Sequence, residues 1–207
     1  MLKNIIYAIL LGVGMAACLS QSNNKQETSK ATASEPATES IPTNDEEMAV
    51  PAPENFVIAK DRAGYVRLNM PIEEMRQSVP NGMDIADTTL QTKGQPSTAY
   101  LLQAKDAARG LLIEQTCAPT CEVWRIQVQH PDFKTSSGIG IGSKYSEVQS
   151  AYPISYVSPG EAGLVAVSED ANFSFVLDSS HLPAEQLAKL KPEDVPANTI
   201  VKSILIY

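Results

Sequence analysis

The sequence predicts an α+β fold of two similar units, each a short helix followed by about three antiparallel strands, with the helices packed on one face of the sheet. Three observations predict it. Residues 137–153 (SGIGIGSKYSEVQSAYP) run from alternating glycine and isoleucine straight into a short amphipathic helix. Residues 64–80 (GYVRLNMPIEEMRQSVP) form a faint copy of that stretch. After each start come runs in which apolar and polar residues alternate, the period of a strand with one buried face. Laying one stretch on the other pairs Val66 with Ile139, Leu68 with Ile141 and Met75 with Val148, and also Glu74 with Glu147 and Pro80 with Pro153. The chain therefore reads as an internal duplication, with units at 55–135 and 136–207.

Taken in order, Val66 and Leu68 alternate with polar neighbours as a short strand does, and Asn69-Met70-Pro71 marks a helix start. Ile72, Met75 and Val79 keep helical spacing until Pro80-Asn81-Gly82 stops it. Residues 81–96 are polar, contain Gly94 and Pro96, and read mostly as loop. Strands are expected at 98–105, 111–117 and 122–129, the last placing Trp124, Ile126 and Val128 on one face. In the second unit a helix at 145–152 is followed by strands at 154–157, 164–167, 173–177 and 200–207, with a short helix at 179–190 before the last.

The N-terminus has a different texture. Lys3, an apolar run over 5–15 and Met15-Ala16-Ala17 before Cys18 are laid out as a secretory signal peptide over residues 1–17. The apolar run falls short of the roughly 20 residues that span a bilayer. Small residues directly before Cys18 resemble the lipobox of bacterial lipoproteins. That resemblance implies cleavage before Cys18 and acylation of it, hence anchoring in a membrane. Leu19, standing where an aspartate argues for inner-membrane retention in that family, points to the outer membrane and a periplasmic location. Of three cysteines, Cys117 and Cys121 remain as an even pair in an oxidising compartment, which predicts a disulfide closing a hairpin. Residues 18–54 are rich in Ser, Thr, Asn, Glu, Ala and Pro. Seven acids against two lysines leave 19–54 self-repelling, a tether with a root-mean-square span of roughly 30–35 Å.

Chemistry is harder to find. The net charge of −8 argues against nucleic acid, because nothing neutralises a run of phosphates. Gly138, Gly140 and Gly142 lie between strand and helix where anions bind. Their even spacing fits neither a P-loop nor a dinucleotide fingerprint. The expectation there is a tight structural entry, with Ser143 capping the helix and Ile139 and Ile141 buried. Cys117 and Cys121 do not form a C-x-x-C pair. His130 and His181 have no partners at metal-ligand spacing, and His181 beside Ser179 and Ser180 lacks any nucleophile-elbow pattern. The reading is a protein without cofactor, metal or enzymatic activity. Trp124, Tyr100, Tyr156 and Tyr207 are the candidate interface anchors on one sheet face. For Trp124 taken alone the alternation favours a core position under a helix.

The combination of Cys18, a polar tether, and a Gly-rich entry at 140–153 opening a helix and antiparallel strands resembles the small envelope domains of the SmpA/OmlA (BamE) lipoproteins. The twofold repeat and hairpin disulfide also resemble the β-lactamase inhibitory protein architecture. These resemblances imply a lipoprotein that binds an envelope protein, in assembly, scaffolding or inhibition. A small-ligand or glycan-binding lipoprotein is the alternative. No binding residue carries over from either family.

Overall fold

A computed structural model describes residues 53–207 apart from 93, 106 and 108. The signal peptide, Cys18 and nearly all of the tether lie outside the described residues. A 3-10 turn at Pro53–Phe56 leads into three very short strands, β1 (Val57–Ala59), β2 (Arg62–Ala63) and β3 (Val66–Arg67). Then come α1 (Ile72–Gln77), β4 (Met83–Thr92), β5 (Gln95–Ala104), β6 (Leu111–Cys117), β7 (Cys121–Val128) and β8 (Lys134–Thr135). The rest is α2 (Tyr145–Ala151), β9 (Tyr156–Gly160), β10 (Gly163–Ser168), β11 (Phe173–Leu177), α3 (Ala184–Leu187) and β12 (Val201–Ile206).

Eight strands form one antiparallel sheet in the order β4-β5-β6-β7-β12-β11-β10-β9. Each side of the β7–β12 junction is a four-stranded meander. The remaining strands form a small sheet, β3-β2-β1-β8, in which β8 runs parallel to β1. Ile58 and Val66 from the small sheet, Met75 from α1 and Val148 from α2 join one buried cluster with Leu102, Ile113, Ile126, Phe175 and Ile204 of the large sheet. By the two-residue period of strands, these large-sheet residues share one face.

The α+β expectation, with about three strands per helix, is overturned: the described residues are predominantly β. The three α-helices among them have six, seven and four residues. Helices α1 and α2 bury two side chains each, Ile72 with Met75 and Tyr145 with Val148. Residues 81–96, read as loop, contain β4 and the start of β5. As an edge strand β4 meets only β5, so Asp84 and Asp87 sit in it without being desolvated. The helix expected over 179–190 is reduced to the single turn α3, which buries no residue.

The Gly-rich entry is explained by tertiary contacts. Gly142, at φ +87°, donates its N–H to Val201 O at 2.9 Å, and Val201 N–H returns a bond to Ser143 O at 2.9 Å. The entry thus pins α2 to the start of β12. A Cβ on Gly140 would lie 2.5 Å from Phe133 O, far inside contact distance. Gly140→Ala is therefore expected to destabilise by about 1–3 kcal/mol, measurable by urea unfolding. Ser143 does not cap α2. Its Oγ accepts from Gly140 N–H at 3.1 Å, while Lys144 N–H at the helix start donates to Glu147 Oε2 at 2.8 Å. Ile139 is buried, but Ile141 only partly.

Two phenols, Tyr65 half-buried and Tyr145 buried, tie the helices down. Tyr65 OH donates to Met75 O at 3.0 Å, and Tyr145 OH to Pro192 O at 3.0 Å. Burial raises Tyr65 from 10.0 to about 12. Burial also carries Tyr145 to about 12, with the Glu193 charge adding to it and a hydrogen bond with Gln149 opposing it. The folded chain holds these protons more tightly than the unfolded one. Their contribution is complete below pH 10 and is lost as pH rises through about 12. The urea midpoint should fall over that interval, and Tyr145→Phe should flatten the fall.

Candidate functional site

The large sheet has a second face. Tyr156, Val167, Ser174, Leu205 and Gln127 stand directly opposite one another across β9, β10, β11, β12 and β7, and so share it. Val165, Val176 and Leu205 make a separate buried cluster there, with Val167 against it and no helix side chain contributing. The cluster belongs to β10, β11 and β12 alone.

Trp124 faces the same side, against the expectation that it is core. Register explains it. Glu114 pairs with Arg125 and Gln115 with Val123, leaving Trp124 as an extra residue in a bulge. The bulge resets the alternation, so Val123, Ile126 and Val128 are buried while Trp124 is 43% exposed. Arg125 lies beneath this aromatic, its guanidinium 5.1 Å from the ring centroid. It also forms a two-pronged pair with Glu114, Nε to Oε1 at 2.7 Å and Nη2 to Oε2 at 2.9 Å. Glu114 is buried at 7% exposure, in the middle of the sheet. Tyr207, 48% exposed, comes within 3.0 Å of Ser174 Oγ through its hydroxyl and so belongs to this face. Tyr156 is 46% exposed.

Tyr100 does not join them. Opposite Ile113 and Asp87, it lies on the helix side of the sheet. It is buried, with its OH donating to Gln115 Oε1 at 2.8 Å and Arg76 over its ring at 5.4 Å. Burial, then the Asp87 charge, raises its pKa against the opposing effect of Arg76. Three of the four expected aromatics therefore share one face.

The turn between β9 and β10 leans across this face. Ala162 lines a cleft of about 630 Å³ together with Gln127 and Gln129 of the β7 region, although β10 lies three strands from β7. A smaller cleft under the same turn takes in Arg125, Leu205 and Tyr207. Sequence reasoning missed this trough, because no local pattern says where a hairpin tip leans.

The remaining sites resolve simply. The Cys117–Cys121 disulfide forms, joining directly paired residues where β6 turns into β7. Its short ring predicts that the double serine variant loses about 2 kcal/mol with the sheet intact, seen as a lower midpoint with an unchanged circular dichroism spectrum. Glu147 already occupies the start of α2, which leaves the glycine entry no role as an anion cradle. Among the described residues no group of three or more His, Cys, Asp or Glu side chains converges as a metal site. No hydrogen bond among them joins His181 to Ser179 or Ser180; Ser180 N–H donates to Asp178 Oδ1 instead, at 3.1 Å.

No protein-family model matches the chain, and no curated protein does. Among solved structures it is similar to the crystal structure of the uncharacterized protein yfeY from Escherichia coli, with 16% identity and a TM-score of 0.52. The match covers 72% of this chain and 97% of that one. At this identity the likeness concerns the fold alone.

Proposed function

We propose that the protein is a non-catalytic envelope lipoprotein, anchored through Cys18, that binds a protein partner on the open face of its large sheet. The observation carrying this reading is the exposure of Trp124, Tyr156 and Tyr207 on one face, to which no helix side chain among the described residues contributes. Aromatic and arginine side chains concentrate binding energy at protein interfaces, and Arg125 stands under Trp124. The anchor rests on the N-terminal sequence, where Cys18 follows small residues at the end of an apolar run.

The test compares crosslinked envelopes from cells carrying the wild-type chain and the Trp124→Ala/Tyr207→Ala variant. One specific protein captured by the wild type should be lost from the variant, while both unfold at the same urea concentration within about 0.5 kcal/mol. Capture that the variant does not change would sink the reading. For the anchor, mass spectrometry should find an acylated N-terminal Cys18, and Cys18→Ser should leave the chain out of the membrane fraction.

A further inference from the structure

We infer that the cleft beneath the β9–β10 turn is a binding site for a hydroxyl-rich ligand carrying a carboxylate, the chemistry of an acidic sugar. Its volume of about 630 Å³ falls in the range of small-molecule sites. Gln127, Gln129 and Ser203 line it. A carboxamide offers donors and an acceptor together, which matches hydroxyl groups, themselves both donor and acceptor. Gln127 is oriented by donating Nε2–H to Ser203 Oγ at 3.2 Å, which leaves its carbonyl oxygen and second N–H for a ligand.

Charge selects further. Arg109 and Lys202 line the cleft with a single opposing carboxylate, Asp178, in a chain whose net charge is −8. Lys202 makes no ion pair among the described residues. Asp178 accepts the Ser180 N–H, and that bond, with Lys202 and His181 nearby, holds its carboxyl below the usual range. The fixed negative charge disfavours phosphate and favours a ligand that brings its own donors. Two cations against it leave a net positive charge for a ligand carboxylate. Tyr207 borders the adjoining cleft under the same turn, four residues along β12 from Ser203, or roughly 13 Å. Its exposed ring offers a flat surface to the apolar face of a sugar.

This site shares Tyr207 with the protein-binding reading but does not use Trp124, so Trp124→Ala separates the two. The test is calorimetric titration of the full chain with trigalacturonic acid, chitotriose, acetate and inorganic phosphate as probes. Trigalacturonic acid should bind, while acetate and phosphate should not, and chitotriose should bind at least tenfold more weakly. Lys202→Met and Asp178→Asn should each weaken trigalacturonic acid binding at least fivefold, with Trp124→Ala without effect. Lys202 is an exposed strand residue, so its variant should retain the wild-type urea midpoint. No binding of trigalacturonic acid, binding unchanged in Lys202→Met, or phosphate binding as tightly would each overturn the assignment.

Discussion

Phe175→Ala should lower stability by about 3–5 kcal/mol. Phe175 is fully buried on β11, directly opposite Ala166 on β10 and Ile204 on β12. Its ring meets Tyr152 at 5.7 Å and Phe173 at 6.1 Å between centroids. Ala166 offers no side-chain bulk to fill the space, and the aromatic neighbours are held by their own packing. The lining should therefore collapse only in part, leaving a cavity. Circular dichroism is the right probe for the urea series. Trp124, the one tryptophan, is exposed in the folded state and its fluorescence reports little of the core. A loss below about 1 kcal/mol would mean that the site relaxes fully, against the packing described.

Arg125→Met should cost about 2–3 kcal/mol, because it leaves the Glu114 carboxylate buried without its partner. The pair is asymmetric in exposure: the Glu114 side chain is 9% accessible and that of Arg125 22%. Partial access of water to the arginine trims the penalty from the upper range for fully buried pairs. The double variant Glu114→Leu/Arg125→Met should recover most of the loss, since it removes the stranded charge together with the pair. A double-mutant cycle in urea measures the coupling directly. If Arg125→Met were as stable as the wild type, the pair would be a surface ion pair with no consequence for the sheet. The same substitution should also weaken capture of a protein partner, because the guanidinium lies under the Trp124 ring.

How much of this was legible beforehand varies by residue. Residues 111–117 and 173–177 read correctly as strands, because each carries a short cluster of branched or aromatic apolar side chains, Leu111-Leu112-Ile113 and Phe175-Val176-Leu177. Helix α2 was legible from Tyr145 and Val148 at helical spacing. The disulfide followed from cysteine parity and the turn residues between the two positions. Strand β4 was not legible: its polar residues are tolerated only because it sits at an edge, and edge position belongs to the sheet order. The sequence puts Tyr100 in the exposed set because nothing local says which face of β5 meets the helices. Trp124 failed for a different reason. A two-residue period puts it with Ile126 and Val128, and one inserted residue opposite Glu114 reverses that.

By itself, the sequence determined the strands at 111–117 and 173–177 and helix α2, that Cys117 and Cys121 are partners, and that the glycines at 138–142 serve structure. These follow from local propensity, short-range periodicity and parity, which neighbouring residues carry among themselves. Only the tertiary structure decided that the described residues are mainly β, that no helix among them contributes to the second face of the large sheet, and that Trp124, Tyr156 and Tyr207 lie on it. Those outcomes depend on register between strands far apart in the chain and on a bulge and a leaning turn. Such pairings are set by long-range packing, and no window of the sequence contains them.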